Sequence, residues 1–208
     1  MIEIDNILEI EKHIEGIKAT IFDLDDTLYS EKDYVRSGYK AVALEFPQIN
    51  AMADKLWKVF ERGGKAFDEV LESENVLSNE TKFKCLKIYR NHKPNISLYS
   101  GVLEMLSRIK QRGKKLGIIT DGRSEGQRSK IEALGIESLF DKIIITDELG
   151  GTEFRKPNPE AFIKMEECFD TPYEQMLYVG DNINKDFIAP QQLGMKSIWF
   201  KNKVGLYR

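Results

Sequence analysis

The sequence predicts an α/β fold, in which a doubly wound, Rossmann-like parallel sheet forms the core and carries an inserted all-helical cap domain. Short β-branched runs alternate with longer amphipathic stretches, which indicates parallel βα units. Four of the five runs are almost continuously apolar, as is usual for strands covered on both faces. The predicted strands are residues 18–23, 115–120, 142–146, 176–181 and 196–200.

Amphipathic stretches between these strands predict the helices of the core. Ser124 and Gln127 have the spacing of a capping box, in which each side chain bonds a backbone amide at the start of a helix. Asn158 followed by Pro159 predicts another helix start, with Asn as the N-cap and Pro at the first helical position. The predicted helices are residues 102–112 and 124–134, a helix that begins near residue 158, and residues 185–193.

One long region interrupts the alternation of strands and helices. It contains no convincing strand pattern but has helical patterns at residues 32–45, 51–62, 66–72 and 80–91. We therefore expect a helical cap domain at residues 30–96 and a core domain formed by residues 1–29 and 97–208. Residues 1–16 are expected to add a short helix.

The composition disfavours several classes of partner. The 208 residues include 31 basic and 34 acidic side chains, a net charge of −3, whereas general nucleic-acid binders carry a basic excess. No apolar run approaches the roughly 18 to 20 residues that span a bilayer, and the N-terminus lacks a signal-peptide pattern. We expect a cytoplasmic protein, monomeric or weakly homodimeric, with no nucleic-acid or membrane partner.

Carboxylates lie at the ends of two of the predicted strands. Asp23 ends the first strand and Asp25 follows it, and Asp181 ends the fourth, with Asp186 five residues later. Ligands of doubly wound sheets bind beyond the carboxyl ends of the strands, so these side chains should converge. Without a counter-charge they would repel one another. A divalent cation removes that repulsion, and all-oxygen ligands favour Mg²⁺.

Polar groups suited to a phosphate are expected at the same edge. Thr120 ends the second predicted strand, and Lys156 lies in the loop before the helix that begins near residue 158. Mg²⁺ and the ammonium group of Lys156 together suit a dianionic phosphoryl group. The Thr120 hydroxyl and the backbone amides of Asp121 and Gly122 would add hydrogen bonds to it. The expected partner is a small phosphorylated metabolite.

The spacing of Asp23 and Asp25 gives two carboxylates distinct tasks. Residues i and i+2 of an extended segment share a side, so both can reach one substrate. One can attack phosphorus and form an aspartyl-phosphate, and the other can protonate the leaving oxygen and then deprotonate water. The acid role requires a raised pKa at Asp25. The neighbouring carboxylates raise that pKa and Mg²⁺ lowers it, so the sequence leaves the direction open.

Four ordered motifs carry a resemblance to the haloacid dehalogenase superfamily, in its phosphatase branch with a helical cap after the first motif. The motifs are residues 21–28, 119–122, 155–159 and 179–186, and the resemblance extends from about residue 18 to residue 200. It implies that Asp23 is the nucleophile and Asp25 the acid/base, and that Thr120 and Lys156 bind phosphate. It implies Mg²⁺ ligation by the Asp23 carboxylate, the Asp25 main-chain carbonyl and Asp181, with support from Asp186.

One departure from the family pattern affects the charge of the site. Asp121 stands where many relatives have Asn, which adds a negative charge close to the phosphate. Its side chain either faces the phosphate or points away from it, and the sequence leaves both arrangements open.

The function that these motifs predict is Mg²⁺-dependent hydrolysis of a small-molecule phosphate monoester through an aspartyl-phosphate. A phosphomutase shares the four motifs and is the alternative, and a non-catalytic binding module of the same fold would not require them. A haloacid dehalogenase would not need Asp25 as an acid. A phosphonate hydrolase would need a Schiff-base lysine in the cap, which the sequence does not identify.

Overall fold

A computed structural model describes residues 1–206, so the last two residues of the predicted core domain, 207–208, lie outside the described residues. Its centre is a six-stranded parallel sheet with the order β1-β6-β5-β2-β3-β4. The strands are β1 Ile2–Ile4, β2 Ala19–Phe22, β3 Lys115–Thr120, β4 Lys142–Ile145, β5 Met176–Gly180 and β6 Lys196–Phe200. The predicted fold class is confirmed.

The chain divides into two compact units, one formed by Met1–Glu31 with Ser97–Arg208 and the other by Lys32–Ile96. Four helices belong to the second unit or lead into it, namely α1 Glu31–Leu44, α2 Met52–Glu61, α3 Ala66–Ser73 and α4 Asn79–Asn91. They bury a core of their own, in which the Tyr39 ring packs edge-to-face against Phe60 and Phe67.

Four further helices belong to the unit that contains the sheet, namely α5 Val102–Gln111, α6 Ser124–Leu134, α7 Glu160–Phe169 and α8 Ile188–Gln192. Helix α7 packs on the sheet through a buried apolar cluster, in which the rings of Phe162 and Tyr178 lie 5.0 Å apart at 74°. None of the helices within residues 1–206 is long and apolar enough to cross a bilayer.

The register of the three central strands sets the position of the site. Phe22 of β2 stands opposite Ile118 of β3 and Val179 of β5, so all three strands end at the same edge. The first residue after β2, Asp23, continues the pairing because its backbone amide donates to the Val179 carbonyl over 2.8 Å. The segments that follow these strands therefore meet beside one another.

The first sixteen residues contain the predicted short helix as a 3₁₀ helix, together with a strand that the sequence pattern did not predict. Ile2–Ile4 form β1, which pairs with Ile198–Phe200 at one edge of the sheet, and a 3₁₀ helix follows at Ile7–Lys12. Ile7 and Ile10 are buried, so the apolar spacing does mark residues that face the core. The strand depends on pairing with a segment almost two hundred positions away, which local spacing does not encode.

One predicted helix cap and two predicted helix starts differ from the sequence pattern. Helix α6 begins at Ser124 without the predicted capping box, because the Ser124 hydroxyl bonds Glu148 and Gln127 turns to the site. Helix α7 begins one residue after Pro159, although the Asn158 side chain still accepts from the Glu160 amide over 2.9 Å. The helix predicted at residues 185–193 is shorter and begins at Ile188.

Candidate active site

The edge where the central strands end contains a polar cavity of about 350 Å³. Cavities of this size suit small metabolites. Its walls come from the segments after β2, β3 and β5 and from the loop before α7. The lining residues are Asp23, Asp25, Glu31, Asp121, Arg155, Lys156, Asp181, Asn182 and Lys185.

Asp23 lies at the floor of this cavity and is buried, with 6% of its surface exposed. Its Oδ1 atom lies 2.5 Å from Nζ of Lys156. Burial raises the pKa of Asp23 to about 7 against the opposing effect of Lys156, and the nearby Asp186 carboxylate adds to the rise. The predicted nucleophile is thus a largely desolvated carboxylate held by one ammonium group.

Lys156 is the central cation of the site. Its side chain is fully buried, and Nζ lies 2.5 Å from Asp23 Oδ1, 2.8 Å from Asp186 Oδ1 and 2.9 Å from the Tyr178 hydroxyl. Burial alone would lower the pKa of Lys156, but Asp186 and Asp23 raise it well above its usual value. The ammonium group therefore stays charged and draws the predicted nucleophile and Asp186 together.

Asp23, Asp181 and Asp186 form a buried carboxylate cluster, with one oxygen of each lying within 4.8 Å of the others. Burial, Asp23 and Asp186 raise the pKa of Asp181 to about 9. Asp181 Oδ2 is buried and has no hydrogen-bond partner among residues 1–206. Hard cations such as Mg²⁺ take carboxylate oxygens, so the donor set and this unsatisfied oxygen fit Mg²⁺.

The position of Asp186 depends on Gly180 at the end of β5. Asp186 Oδ2 accepts from the Asn182 amide over 2.9 Å. A Cβ atom at Gly180 would lie only 2.5 Å from the same Oδ2 atom. The absence of a side chain at Gly180 therefore lets the Asp186 carboxylate approach the strand end.

Asp25 is surrounded by three side-chain donors. Its Oδ1 accepts from Lys130 Nζ over 2.7 Å and from the Tyr29 hydroxyl, and its Oδ2 accepts from Gln127 Nε2 over 2.8 Å. Burial alone would raise the pKa of Asp25, but Lys130, Tyr29 and Gln127 outweigh it and lower the pKa. The direction that the sequence left open is therefore downward in this structure, which favours the ionised form.

The sequence patterns did not assign Gln127 or Lys130 to the site. Both are polar residues on the buried stripe of α6, which also contains Ile131, and they have 3% and 6% of their surface exposed. Buried polar groups usually have partners, so two of them on the inward face of a helix are a signal that could have identified them. Glu31 was also not identified. Burial and Asp25 raise its pKa to about 8.

Thr120 lies buried at the end of β3, and its hydroxyl oxygen accepts from Gln127 Nε2 over 2.5 Å. Gly122 follows with φ +139°, a conformation that strongly favours glycine, and its Cα faces the Gln127 side chain. Thr120 and Gly122, two of the four predicted phosphate-binding positions, thus lie on either side of a third, Asp121, and share Gln127 as a neighbour.

Asp121 makes structural contacts with both oxygens. Oδ1 accepts from the Lys156 backbone amide over 3.0 Å and from the Thr146 hydroxyl over 3.1 Å, and Oδ2 accepts from Lys185 Nζ over 2.7 Å. Burial alone would raise the pKa of Asp121, but Lys156 and Lys185 lower it. The extra negative charge at this position is therefore paired with Lys185, which the sequence patterns did not identify.

The chain matches known proteins along most of its length. The family described as haloacid dehalogenase-like hydrolase matches residues 20–200. A glyceraldehyde 3-phosphate phosphatase from Methanocaldococcus jannaschii is 31% identical over 198 residues, covering 88% of this chain and 84% of the relative. Pyrophosphatase PpaX from Bacillus cereus is 26% identical over 184 residues, covering 87% of this chain and 82% of the relative.

A solved structure is similar in fold. YfnB from Bacillus subtilis, determined bound to magnesium, has a TM-score of 0.64 and 22% identity, with 88% of this chain and 86% of that chain covered. At this identity the likeness concerns the fold. It agrees with the parallel sheet and helices described above.

Proposed function

The chain belongs to the haloacid dehalogenase-like hydrolases and is a phosphohydrolase, and we propose from this premise that it hydrolyses a small-molecule phosphate monoester with Mg²⁺. The observation that carries the proposal is the contact of Asp23 with Lys156 beside Asp181 and Asp186. A buried carboxylate next to a cation and two further carboxylates suits attack on a phosphoryl group held by the same charges.

In the proposed reaction Asp23 acts as the nucleophile. One of its carboxylate oxygens forms a bond to phosphorus as the bond from phosphorus to the leaving oxygen breaks, which gives an aspartyl-phosphate. Lys156 stabilises the charge on the phosphoryl oxygens, because its ammonium group already lies 2.5 Å from the attacking carboxylate. The Thr120 hydroxyl donates a hydrogen bond to another phosphoryl oxygen.

Asp25 moves the protons in both steps. It gives a proton to the leaving oxygen in the first step and takes one from the attacking water in the second, which releases inorganic phosphate and restores Asp23. The donors around Asp25 favour its ionised form, which is ready for the base role. For the acid role Asp25 must first take up a proton, and rotation away from Lys130 would favour that uptake.

Asp23, Asp181 and Asp186 are the side chains that would hold Mg²⁺, and the main-chain carbonyl of Asp25 remains a predicted ligand. When bound, Mg²⁺ supplies positive charge that polarises the phosphoryl group. Asp181 Oδ2 supports this assignment, because a buried carboxylate oxygen without a partner among the described residues is costly in the absence of a cation.

Small phosphorylated metabolites are the substrate class that we propose, in the cytoplasm, with the helical unit at residues 32–96 acting as the cap. The name glyceraldehyde 3-phosphate phosphatase on a relative with 31% identity supports a sugar-like phosphate. The name pyrophosphatase on another relative makes diphosphate the compound to compare with it. We propose a monomer or weak homodimer as the working form.

Phosphate release from a panel of phosphorylated metabolites tests this function. The panel includes glyceraldehyde 3-phosphate and diphosphate, each with Mg²⁺ and with a chelator, and compares the wild-type chain with Asp23→Asn. We expect Mg²⁺-dependent release of free phosphate that disappears in the variant. Conversion of the ester to an isomer without free phosphate would instead identify a mutase. Equal rates with Asp23→Asn would refute the mechanism.

A further inference from the structure

Lys185 is a second ammonium group at the wall of the cavity, and none of the four motif roles includes it. It lies next to Asp186 in the chain, and one third of its side chain, 33%, is exposed. The lining of the cavity includes both Lys185 and Lys156. The cavity is therefore lined by two lysines that differ in exposure: the side chain of Lys156 is fully buried, and that of Lys185 is partly open to solvent.

Asp121 connects these two lysines. Its Oδ2 atom lies 2.7 Å from Lys185 Nζ, and its Oδ1 atom accepts from the backbone amide of Lys156 over 3.0 Å. The Asp121 carboxylate thus holds two groups in position: the backbone of the loop that carries Lys156, and the ammonium group of Lys185. The bond to Asp121 uses one of the three donors that an ammonium group offers.

The charges around Lys185 indicate an anion as its further ligand. Lys185, Lys156 and Asp23 line the same polar cavity, and the Lys185 ammonium group is partly open to it. An anion bound in this cavity would lie between two ammonium groups and would be attracted by both. Because Asp23 lines the same cavity, such an anion would lie near the predicted nucleophile.

We propose that Lys185 is a second cationic ligand of the transferred phosphoryl group, positioned by Asp121. This proposal rests on the proposed function and adds a phosphate-binding residue to it. Lys156 Nζ donates to Asp23 Oδ1 and to the Tyr178 hydroxyl and also lies 2.8 Å from Asp186 Oδ1, so three protein groups already surround it. Lys185 keeps donors for phosphoryl oxygens.

If Lys185 only neutralises the negative charge of Asp121, a different result is expected. In that role the ammonium group would only neutralise Asp121, so its loss would weaken phosphate binding through the uncompensated carboxylate. Replacement of Asp121 by Asn would then remove the effect of any change at Lys185. If Lys185 binds the phosphoryl group itself, the loss persists in the Asp121→Asn background.

Calorimetric binding of inorganic phosphate in the presence of Mg²⁺ separates the two roles. We expect Lys185→Met to weaken phosphate binding about tenfold, because charge-assisted hydrogen bonds are worth that much or more. The double variant Asp121→Asn/Lys185→Met is expected to bind phosphate about tenfold more weakly than Asp121→Asn alone. Lys185→Arg, which keeps the charge, should bind more tightly than Lys185→Met.

Lys164→Met is the matched control, because Lys164 is an exposed lysine paired with Glu160 and its loss changes the net charge by the same amount. It should bind phosphate as the wild type does. Thermal unfolding checks that each variant is folded, and Lys185→Gln replaces Lys185→Met if the latter is not.

Two results would overturn the proposal for Lys185. One is unchanged phosphate binding in Lys185→Met. The other is equal binding by Asp121→Asn and the double variant, which would leave Lys185 with the compensating role. Failure of the wild-type chain to bind phosphate at all would instead count against the proposed function. The two failures are therefore distinguishable in one experiment.

Discussion

Gln127 Nε2 lies 2.8 Å from Asp25 Oδ2, and the same nitrogen lies 2.5 Å from the Thr120 hydroxyl oxygen. One buried amide therefore joins the predicted acid/base to a predicted phosphate ligand. The two groups lie on different segments, one after β2 and the other at the end of β3. Helix α6 thus helps to hold the two halves of the site in register.

Replacement of Gln127 by Leu removes this link while keeping a side chain of similar size. We expect a fall in kcat of about tenfold or more, because small errors in the position of catalytic groups are costly. Unfolding in denaturant should show a loss of about 1 to 3 kcal/mol, since the Asp25 and Thr120 oxygens lose a buried donor. Glu132→Ala, on the exposed face of α6, is the control and should change neither quantity. A wild-type kcat in Gln127→Leu would contradict the positioning role.

Gly180→Ala tests the close approach of Asp186 to the end of β5. The added Cβ would lie 2.5 Å from Asp186 Oδ2, so the carboxylate, which also lies 2.8 Å from Lys156 Nζ through Oδ1, must shift. We expect lower activity and a stability loss of about 1 to 3 kcal/mol, as for other overpacked sites. Gly126→Ala in α6 is the control, since the Cβ that alanine adds there meets no neighbouring atom within 4 Å and alanine favours helices. Equal stability and activity in the two variants would count against the contact.

Lys156→Met tests the central cation. The change leaves Asp23 and Asp186 buried without their shared ammonium group, which costs about 3 to 5 kcal/mol when a buried pair is broken. Denaturant unfolding without Mg²⁺ should show this loss, and phosphate release should disappear. Lys201→Met removes an exposed lysine paired with Glu3 and should change stability by less than about 1 kcal/mol. Similar losses in the two variants would show that Lys156 is not a stabilising cation.

The raised pKa values predict how the stability of the metal-free protein depends on pH. The pKa of Asp181 rises from 3.8 to about 9 and that of Asp23 rises to about 7, so the folded chain binds protons that the unfolded chain has lost. Their contribution to stability is fully present below about pH 4 and is lost as the pH rises to about 9. Thermal unfolding with a chelator present should therefore show that Tm falls as the pH rises from about 4 to about 9, because Asp181 and Asp23 lose their protons over this range.

Addition of Mg²⁺ at pH 8 should raise the Tm of the wild-type chain, because binding to the folded form alone stabilises it. Asp181→Asn provides the comparison, since it removes one charge of the cluster. Without metal it should be more stable than the wild type at pH 8, and its response to Mg²⁺ should be much smaller. If the Tm of the wild-type chain changed with neither pH nor Mg²⁺, the carboxylate cluster would not be a cation site.

Particular elements show what the sequence could and could not predict. The strands that carry Asp23, Thr120 and Asp181 were predictable because buried parallel strands are continuously apolar and end in polar residues. Strand β1 was not, since three residues at a sheet edge form a strand only through their pairing with β6. The partners of Asp25 were equally hidden, because a contact between Asp25 and Lys130 spans 105 positions.

Charge pairing explains the remaining difference. The sequence shows that Asp121 adds a negative charge, but Lys185, the residue of opposite charge that pairs with it, lies 64 positions away in the chain. Motif spacing reports what is near in the chain, whereas the compensation of a charge depends on what is near in space. The same limit applies to the pKa of Asp25, whose direction depends on donors from α6.

Tyr178 belongs to two parts of the molecule at once. Its ring packs against Phe162 in the apolar cluster beneath α7, and its hydroxyl lies 2.9 Å from Lys156 Nζ. The Tyr178 side chain thus belongs both to the apolar cluster and to the candidate active site. Substitutions that loosen the packing around Phe162 are therefore expected to lower turnover as well as stability.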